Sequence, residues 1–318
     1  MYVAPQATNF IALYAYSMSA TNESTPFDHP TDLALILLVI VLWGVNFAVI
    51  KVGVTDIPPF LLGALRFMLA AFPALLFFRR PKVPLRLYLL YGMTISVGQF
   101  AFLFTAIRVG MPSGLASLIL QSQSFFTLFF AALWLKERWH AHQLMGLILA
   151  GLGLVLIGSA HGASMPLLGF LLTVAAASMW ACGNIITRTI SRYAPFNQFA
   201  FVVWASAVPP IPFLLLSFMF EGTDAITTAL HHINGQSFAA IAYLAWVATL
   251  LGYGLWTRFL GRYPANRIAP FSMLVPLVGL TTGWLVFDEA LQPIHFAGGA
   301  LLMLGLLVNV FGARWGRG

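Results

Sequence analysis

The chain has 318 residues, 60% of them hydrophobic and 8% charged, with a mean hydropathy of +0.89, whereas soluble domains carry about 25% charged residues. This balance excludes a soluble globular enzyme and predicts an integral membrane protein. The net charge of +7 then reads as loop charge against a bilayer surface, with no nucleic-acid partner expected. The single cysteine, Cys182, excludes an internal disulfide and any cysteine-based metal cluster.

In chain order, residues 1–30 hold no Lys or Arg and only a short, interrupted apolar patch. A secretory signal needs a basic start and a continuous apolar core, so this stretch predicts a disordered extension instead. Windows of about 20 apolar residues, the length a helix needs to cross the hydrocarbon core, come next at 33–53, 59–78, 87–108, 113–135, 142–159, 165–187, 197–220, 237–257, 266–287 and 294–312. No loop between them is long enough for a separate soluble domain, so any chemistry has to occur in or between helices.

Polar residues inside these spans usually face other helices or a wet cavity, because an unpaired polar group in hydrocarbon is costly. Span one carries Trp43 and Asn46 on one face, and span six carries Trp180 and Asn184 on another. Either pair could line a cavity or make interhelical hydrogen bonds, which Gly44 and Gly183 would also favour by close approach. Arg66, the one cation well within a span, could hold a substrate carboxylate bidentately. It could equally snorkel to headgroups or tie its helix to backbone carbonyls. Gln99, Gln121, Gln123, Tyr253 and Trp256 form the next tier of candidates. Neutral amides suit a zwitterion, since they bond both ammonium and carboxylate. Gln121 and Gln123, two positions apart, are expected on different helix faces, so that at most one meets substrate.

All nine acidic residues fall in loops, termini or span ends, and no histidine lies mid-span. A membrane carboxylate or histidine proton relay therefore has no candidate, which points to downhill export or to coupling of another kind. Glu137 and Glu289 precede spans five and ten, where each is expected to complement a positive helix N-terminus. "WHAH" at 139–142 lacks the carboxylate or cysteine that would complete a metal set. The prolines of "VPPIPF" in span seven are equally able to serve a gate hinge or to shape the bundle. No phosphate loop or nucleophile elbow is present, so neither an enzyme, a cofactor nor a metal is expected.

Orientation is set by the basic residues, which collect in cytoplasmic loops. With the N-terminus inside, thirteen of the sixteen fall there: Arg79, Arg80, Lys82, Arg86, Lys136, Arg138, Arg188, Arg192, Arg258, Arg262, Arg267, Arg314 and Arg317. Both termini are thus predicted cytoplasmic. The pattern also repeats. Trp43 and Lys51 recur 137 residues later as Trp180 and Arg188, and an offset of 152 links Tyr91 to Tyr243, Pro112 to Pro264, Glu137 to Glu289, Gly146 to Gly298 and Gly153 to Gly305. The second half holds about 15 extra residues, assigned to "EGTDAITTALHHING". Five helices per half is an odd number, so the second half must enter the membrane upside down. Such inverted repeats build transporters with a midplane site and alternating access.

"LWGVNFAVIKVG", "ALRFMLAAFPALL", "RPKVPL", "YGMTISVGQFAFLFTAI", "GMPSGLASLILQ", "WACGNI", "LLGYGLW" and "RIAPFSMLVPLVGL", in that order over residues 33–314, resemble the EamA branch of the drug/metabolite transporter superfamily. Within it they are most similar to bacterial inner-membrane exporters of cysteine and O-acetylserine. The resemblance implies an all-α membrane protein of ten helices, a first repeat over 31–160 and an inverted second repeat over 161–318. It also implies a central cavity lined mainly by helices one, three, four, six, eight and nine. That cavity would take Trp43, Asn46, Gln99, Gln121, Trp180, Asn184, Tyr253 and Trp256 as substrate-binding candidates, with Arg66 on helix two matching the family's "RF" pattern and therefore leaning structural. The function implied is export of small zwitterionic amino acids and derivatives from the bacterial cytoplasm. Efflux of other metabolites or drugs is the alternative within transport, and a non-transporting scaffold the alternative outside it.

Overall fold

The computed structural model describes residues 30–160, 165–190, 193, 196–263 and 265–315. The extension expected before residue 30, and Arg192, Pro264 and Arg317, lie outside the described residues. The chain divides by contacts into a unit ending at Leu35 and a unit from Ile36 to Gly318. Of the first, only the leading turns of the first helix are described; the rest of that helix, the other helices and the cavity between them belong to the second.

Among the described residues, ten helices are long and apolar enough to cross a membrane. They are α1 (Pro30–Asp56), α2 (Pro59–Leu76), α3 (Leu85–Arg108), α4 (Ser113–Leu135), α5 (Ala141–Ser159), α6 (Leu167–Ile190), α7 (Gln198–Glu221), α8 (Gly235–Leu260), α9 (Pro270–Phe287) and α10 (Pro293–Gly312). Each apolar window of the sequence has its helix, with ends shifted by a few residues, and the described residues contain no β-strand. The chain is a multi-pass membrane protein. Large apolar side chains such as Leu76, Phe77, Ile211 and Met219 are exposed, as lipid-facing positions should be. The extra segment of the second half folds in part as a helix over Thr223–His231.

Several helix ends are satisfied by charged side chains distant in the sequence. The first amides and last carbonyls of a helix lack intrahelical partners and carry partial charge. Arg108 donates to the carbonyls of Val54 and Thr55 in the last turn of α1, the latter at 2.7 Å. Glu221 accepts from the amides of Phe60 (2.6 Å) and Leu61 (3.1 Å) at the start of α2. Glu289 does the same for α4, accepting from the amides of Ser113 (2.8 Å) and Gly114 (2.9 Å) and from the Ser113 hydroxyl (2.9 Å). It also pairs with Lys51 at 2.8 Å. The expectation for the two loop glutamates is therefore corrected. Glu289 complements the N-terminus of α4, not that of the next helix in the chain. Glu137 pairs with Arg188 at 3.0 Å. The start of α5 is closed instead by a reciprocal box between His140 and Gln143, because a loop of a few residues brings these two groups within reach first.

Local geometry recurs at the 152-residue spacing. Lys136 and Asp288 both adopt left-handed backbone, with φ of 57° and 51°, and end α4 and α9. In each case the next amide reaches six residues back: Glu137 to Ala131 at 3.4 Å and Glu289 to Gly283 at 3.3 Å, so both helices close in the same way around a left-handed residue. α3 widens to a π-helix over Gly92–Gly98 and α8 over Tyr243–Leu251. α4 tightens to a 3-10 turn over Leu120–Ser122, and α9 begins in one over Ala269–Leu274.

α5 and α10 pack through glycines. A Cβ on Gly146 would lie 2.7 Å from the Gly305 carbonyl oxygen, and one on Gly153 2.5 Å from that of Gly298. Backbone this close leaves no room for a methyl group, whereas nothing lies within 4 Å of such an atom on Gly151. Gly153→Ala should therefore cost about 1–3 kcal/mol by overpacking and lower the melting temperature of the purified protein. Gly151→Ala in the same helix should leave it unchanged or raise it slightly.

Candidate functional site

A cavity of about 610 Å³ lies among the helices, within the size range of ligand pockets. All nine candidate residues border it: Trp43, Asn46, Arg66, Gln99, Gln121, Trp180, Asn184, Tyr253 and Trp256. Their helices bring them together by periodicity. Trp43, Asn46 and Phe47 share one face of α1, and Tyr91, Ile95 and Gln99 one face of α3.

An aromatic corner forms where α1 meets α8. The Trp43 indole N–H donates to the Ala248 carbonyl at 3.1 Å, and its ring centroid lies 5.4 Å from that of Tyr253 and 5.1 Å from that of Trp256. Gly252 makes this approach possible, since a Cβ there would meet the indole nitrogen at 2.5 Å.

Arg66 neither snorkels nor ties α2 to backbone carbonyls, the two structural roles the sequence left open for it. It is 2% exposed, and its Nε and Nη2 donate to the Thr249 hydroxyl oxygen at 3.4 and 3.1 Å. Thr249 in turn donates to the Leu244 carbonyl five residues back, a group that the π-turn of α8 places within its reach. The guanidinium lies 4.0 Å from the Phe100 ring centroid, a cation–π contact that offsets part of the burial. No described carboxylate pairs with it, and Nη1 has no hydrogen-bond partner.

The amides divide into bonded and unbonded groups. Asn184 donates to Gln123 Oε1 (2.7 Å) and to the Thr127 hydroxyl oxygen (3.0 Å), joining α6 to α4. Gln121 donates to the Ser272 carbonyl at 3.2 Å. Asn46 Oδ1 and Gln99 Oε1 are buried without a partner. Asn184 thus both packs and borders the cavity, two roles that the sequence set as alternatives.

Gln121 and Gln123 both border the cavity, against the expectation that they face apart. In an α-helix, residues two apart are separated by about 160° around the axis. The 3-10 turn over Leu120–Ser122 reduces this to about 120°, so one concave surface can receive both. Tyr91, Ser117 and Thr187 also line it without having been singled out as site residues. Tyr91 was marked only by its place in the repeat, and small hydroxyl side chains carry no distinctive sequence signal in a membrane helix. No group of three His, Cys, Asp or Glu side chains fit to hold a metal occurs among the described residues.

The cavity has unlike ends. It reaches Thr187 and Ile190 at the end of α6, Phe196 and Gln198 before and at the start of α7, and Leu260 at the end of α8. In the other direction it stops at Phe47 and Ser117, about one helical turn short of Lys51 and Ser113.

The model of the EamA-like transporter family matches this chain twice, over residues 31–159 and 167–311. The chain belongs to the EamA-like transporter family. It is a transporter and not an enzyme. It is 52% identical over 286 residues to a protein of Salmonella typhimurium named "Probable amino-acid metabolite efflux pump", covering 89% of this chain and 96% of that protein. A protein of Escherichia coli with the same name is 50% identical over 287 residues, covering 89% and 96%. A solved structure at 18% identity shares the fold with a TM-score of 0.61, over 91% of this chain and 98% of its own.

Proposed function

We propose that this EamA-family protein exports small zwitterionic amino acids and their derivatives across the bacterial inner membrane, with cysteine and O-acetylserine as leading substrates. The observation that carries the reading is the set of unpartnered buried atoms. Five such side-chain atoms occur among the described residues, and three of them, Arg66 Nη1, Asn46 Oδ1 and Gln99 Oε1, belong to residues that border the cavity. An unpaired buried cation is costly, and an incoming carboxylate relieves that cost through charge-assisted hydrogen bonds. The two carbonyl oxygens suit the ammonium of the same solute. The names of the close relatives, as efflux pumps for amino-acid metabolites, support the same class.

The mechanism in this reading is alternating access between two inverted five-helix repeats, 31–160 and 161–318, with both termini cytoplasmic. The two family matches, the recurring turns and the charge distribution support it. The cavity is then in contact with the cytoplasm, where an exporter loads. A broader metabolite substrate range is the second reading, favoured by a cavity several times larger than one small amino acid.

Expression in a bacterial host should raise extracellular thiol and O-acetylserine, and Trp43→Ala should abolish the rise. No rise, with the protein verified in the membrane, contradicts the proposal. Resistance conferred only to lipophilic cations would favour the broader range, and indifference to Trp43→Ala a scaffold.

A further inference from the structure

Four charged residues outside the cavity stand in a reciprocal relation. Lys51 and Arg188 are 137 residues apart and correspond between the halves, as do Glu137 and Glu289, 152 apart. The structure pairs them crosswise: Lys51 of the first half with Glu289 of the second at 2.8 Å, and Arg188 of the second with Glu137 of the first at 3.0 Å. A contact of i with the counterpart of j, matched by a contact of j with the counterpart of i, is the signature of a two-fold relation. The pairs lie at opposite ends of α4. Glu289 binds its first residues, Ser113 and Gly114, whereas Glu137 lies just past its last, Leu135. Some 23 residues at 1.5 Å each separate them by about 35 Å.

The two ends differ in exposure. At the Lys51 end the carboxylate is 7% exposed and docked into the helix start, and the cavity stops short of it. At the Arg188 end both partners are about half exposed, at 49% and 50%, and the cavity reaches the neighbouring Thr187 and Ile190.

We propose that these pairs are the two latches of one gate: Lys51–Glu289 seals one mouth in the conformation seen here, and Arg188–Glu137 becomes the buried seal when the cavity opens to the opposite side. This rests on the alternating-access reading above and assigns it four residues that touch no substrate. Each latch joins the two halves, so a rocking motion that buries one must expose the other. A charge pair of this kind acts in a low dielectric only when closed, which lets solvent entry itself weaken the latch that is opening.

The test uses the full-length protein with Cys182→Ser, reconstituted in lipid, with spin labels on Thr55 and Ala290 at one end and on Arg138 and Thr189 at the other. Neutralising the sealed latch by Lys51→Met with Glu289→Gln should lengthen the 55–290 distance and shorten the 138–189 distance together, shifting the population ratio at least tenfold. Arg188→Met with Glu137→Gln should leave the distances at their starting values and slow export. If Glu289→Gln does not fold, Lys51→Met alone keeps the α4 cap and should give the same signs. Distances that do not move in opposite senses overturn the proposal even where export persists. Opposed movements without export of any tested amino acid leave the latches standing and count against the substrate assignment instead.

Discussion

Arg66→Met should abolish most export while leaving the protein folded. The thioether chain fills the space between Phe100 and Thr249 and removes a charge whose only described hydrogen-bond partner is one hydroxyl oxygen. Apolar replacement of a poorly compensated buried charge is often neutral or stabilising, so the melting temperature should hold or rise. Substrate binding should weaken because a hydrogen bond to a charged group contributes about 1.5–3 kcal/mol, which is roughly 10- to 150-fold in affinity per bond lost. Arg66→Lys should recover little, since a point charge on a flexible stem lacks the planar fork that meets a carboxylate twice. Transport at subsaturating substrate, measured beside thermal denaturation of the same preparations, checks both halves of this expectation. A loss of activity that tracks loss of fold would return Arg66 to a structural role.

Glu289→Ala should be the most destabilising single change among the charged residues. It leaves two helix-start amides and the Ser113 hydroxyl without their acceptor, and Lys51 without its partner. Breaking a buried ion pair costs about 3–5 kcal/mol, and the partial exposure of Lys51, 32%, argues for the lower end. The pH dependence arises from the same contacts. Burial raises the Glu289 carboxyl, but the Lys51 ammonium and the donors of Gly114 and Ser113 outweigh it and hold the group below the ordinary glutamate range. A depressed carboxylate contributes stability that is present above its unfolded pKa and lost as pH falls through its folded value. Acidification below the ordinary glutamate range should therefore destabilise the wild type at this end and leave Glu289→Ala comparatively insensitive. Melting temperatures of the two proteins from neutral to acid pH measure the difference.

The spans were legible because a bilayer demands long apolar windows, and nothing else in this composition competes with that signal. The residues of the cavity were legible for a related reason: Trp43, Asn46, Gln99 and Asn184 stand out where polar groups are costly. What escaped the sequence was helix geometry finer than the α-period. Apolar periodicity does not distinguish the 3-10 turn at Leu120–Ser122 from regular α-helix, so the convergence of Gln121 and Gln123 was hidden. The π-turn that lets Thr249 reach Leu244 and hold Arg66 was hidden for the same reason. Long-range pairing was the other gap. Glu289 reads as the cap of its neighbouring helix because nearness in sequence is all a sequence offers, while the fold delivers it to α4, more than 170 residues away.

The central claim is that the cavity recognises a carboxylate through Arg66. Counterflow of labelled O-acetylserine in proteoliposomes, challenged with cysteine or with cysteamine, which is cysteine without its carboxylate, tests it most directly. Cysteine should compete strongly and cysteamine weakly, and Arg66→Met should erase the difference between them. Equal competition by the two compounds in the wild-type protein would contradict the account.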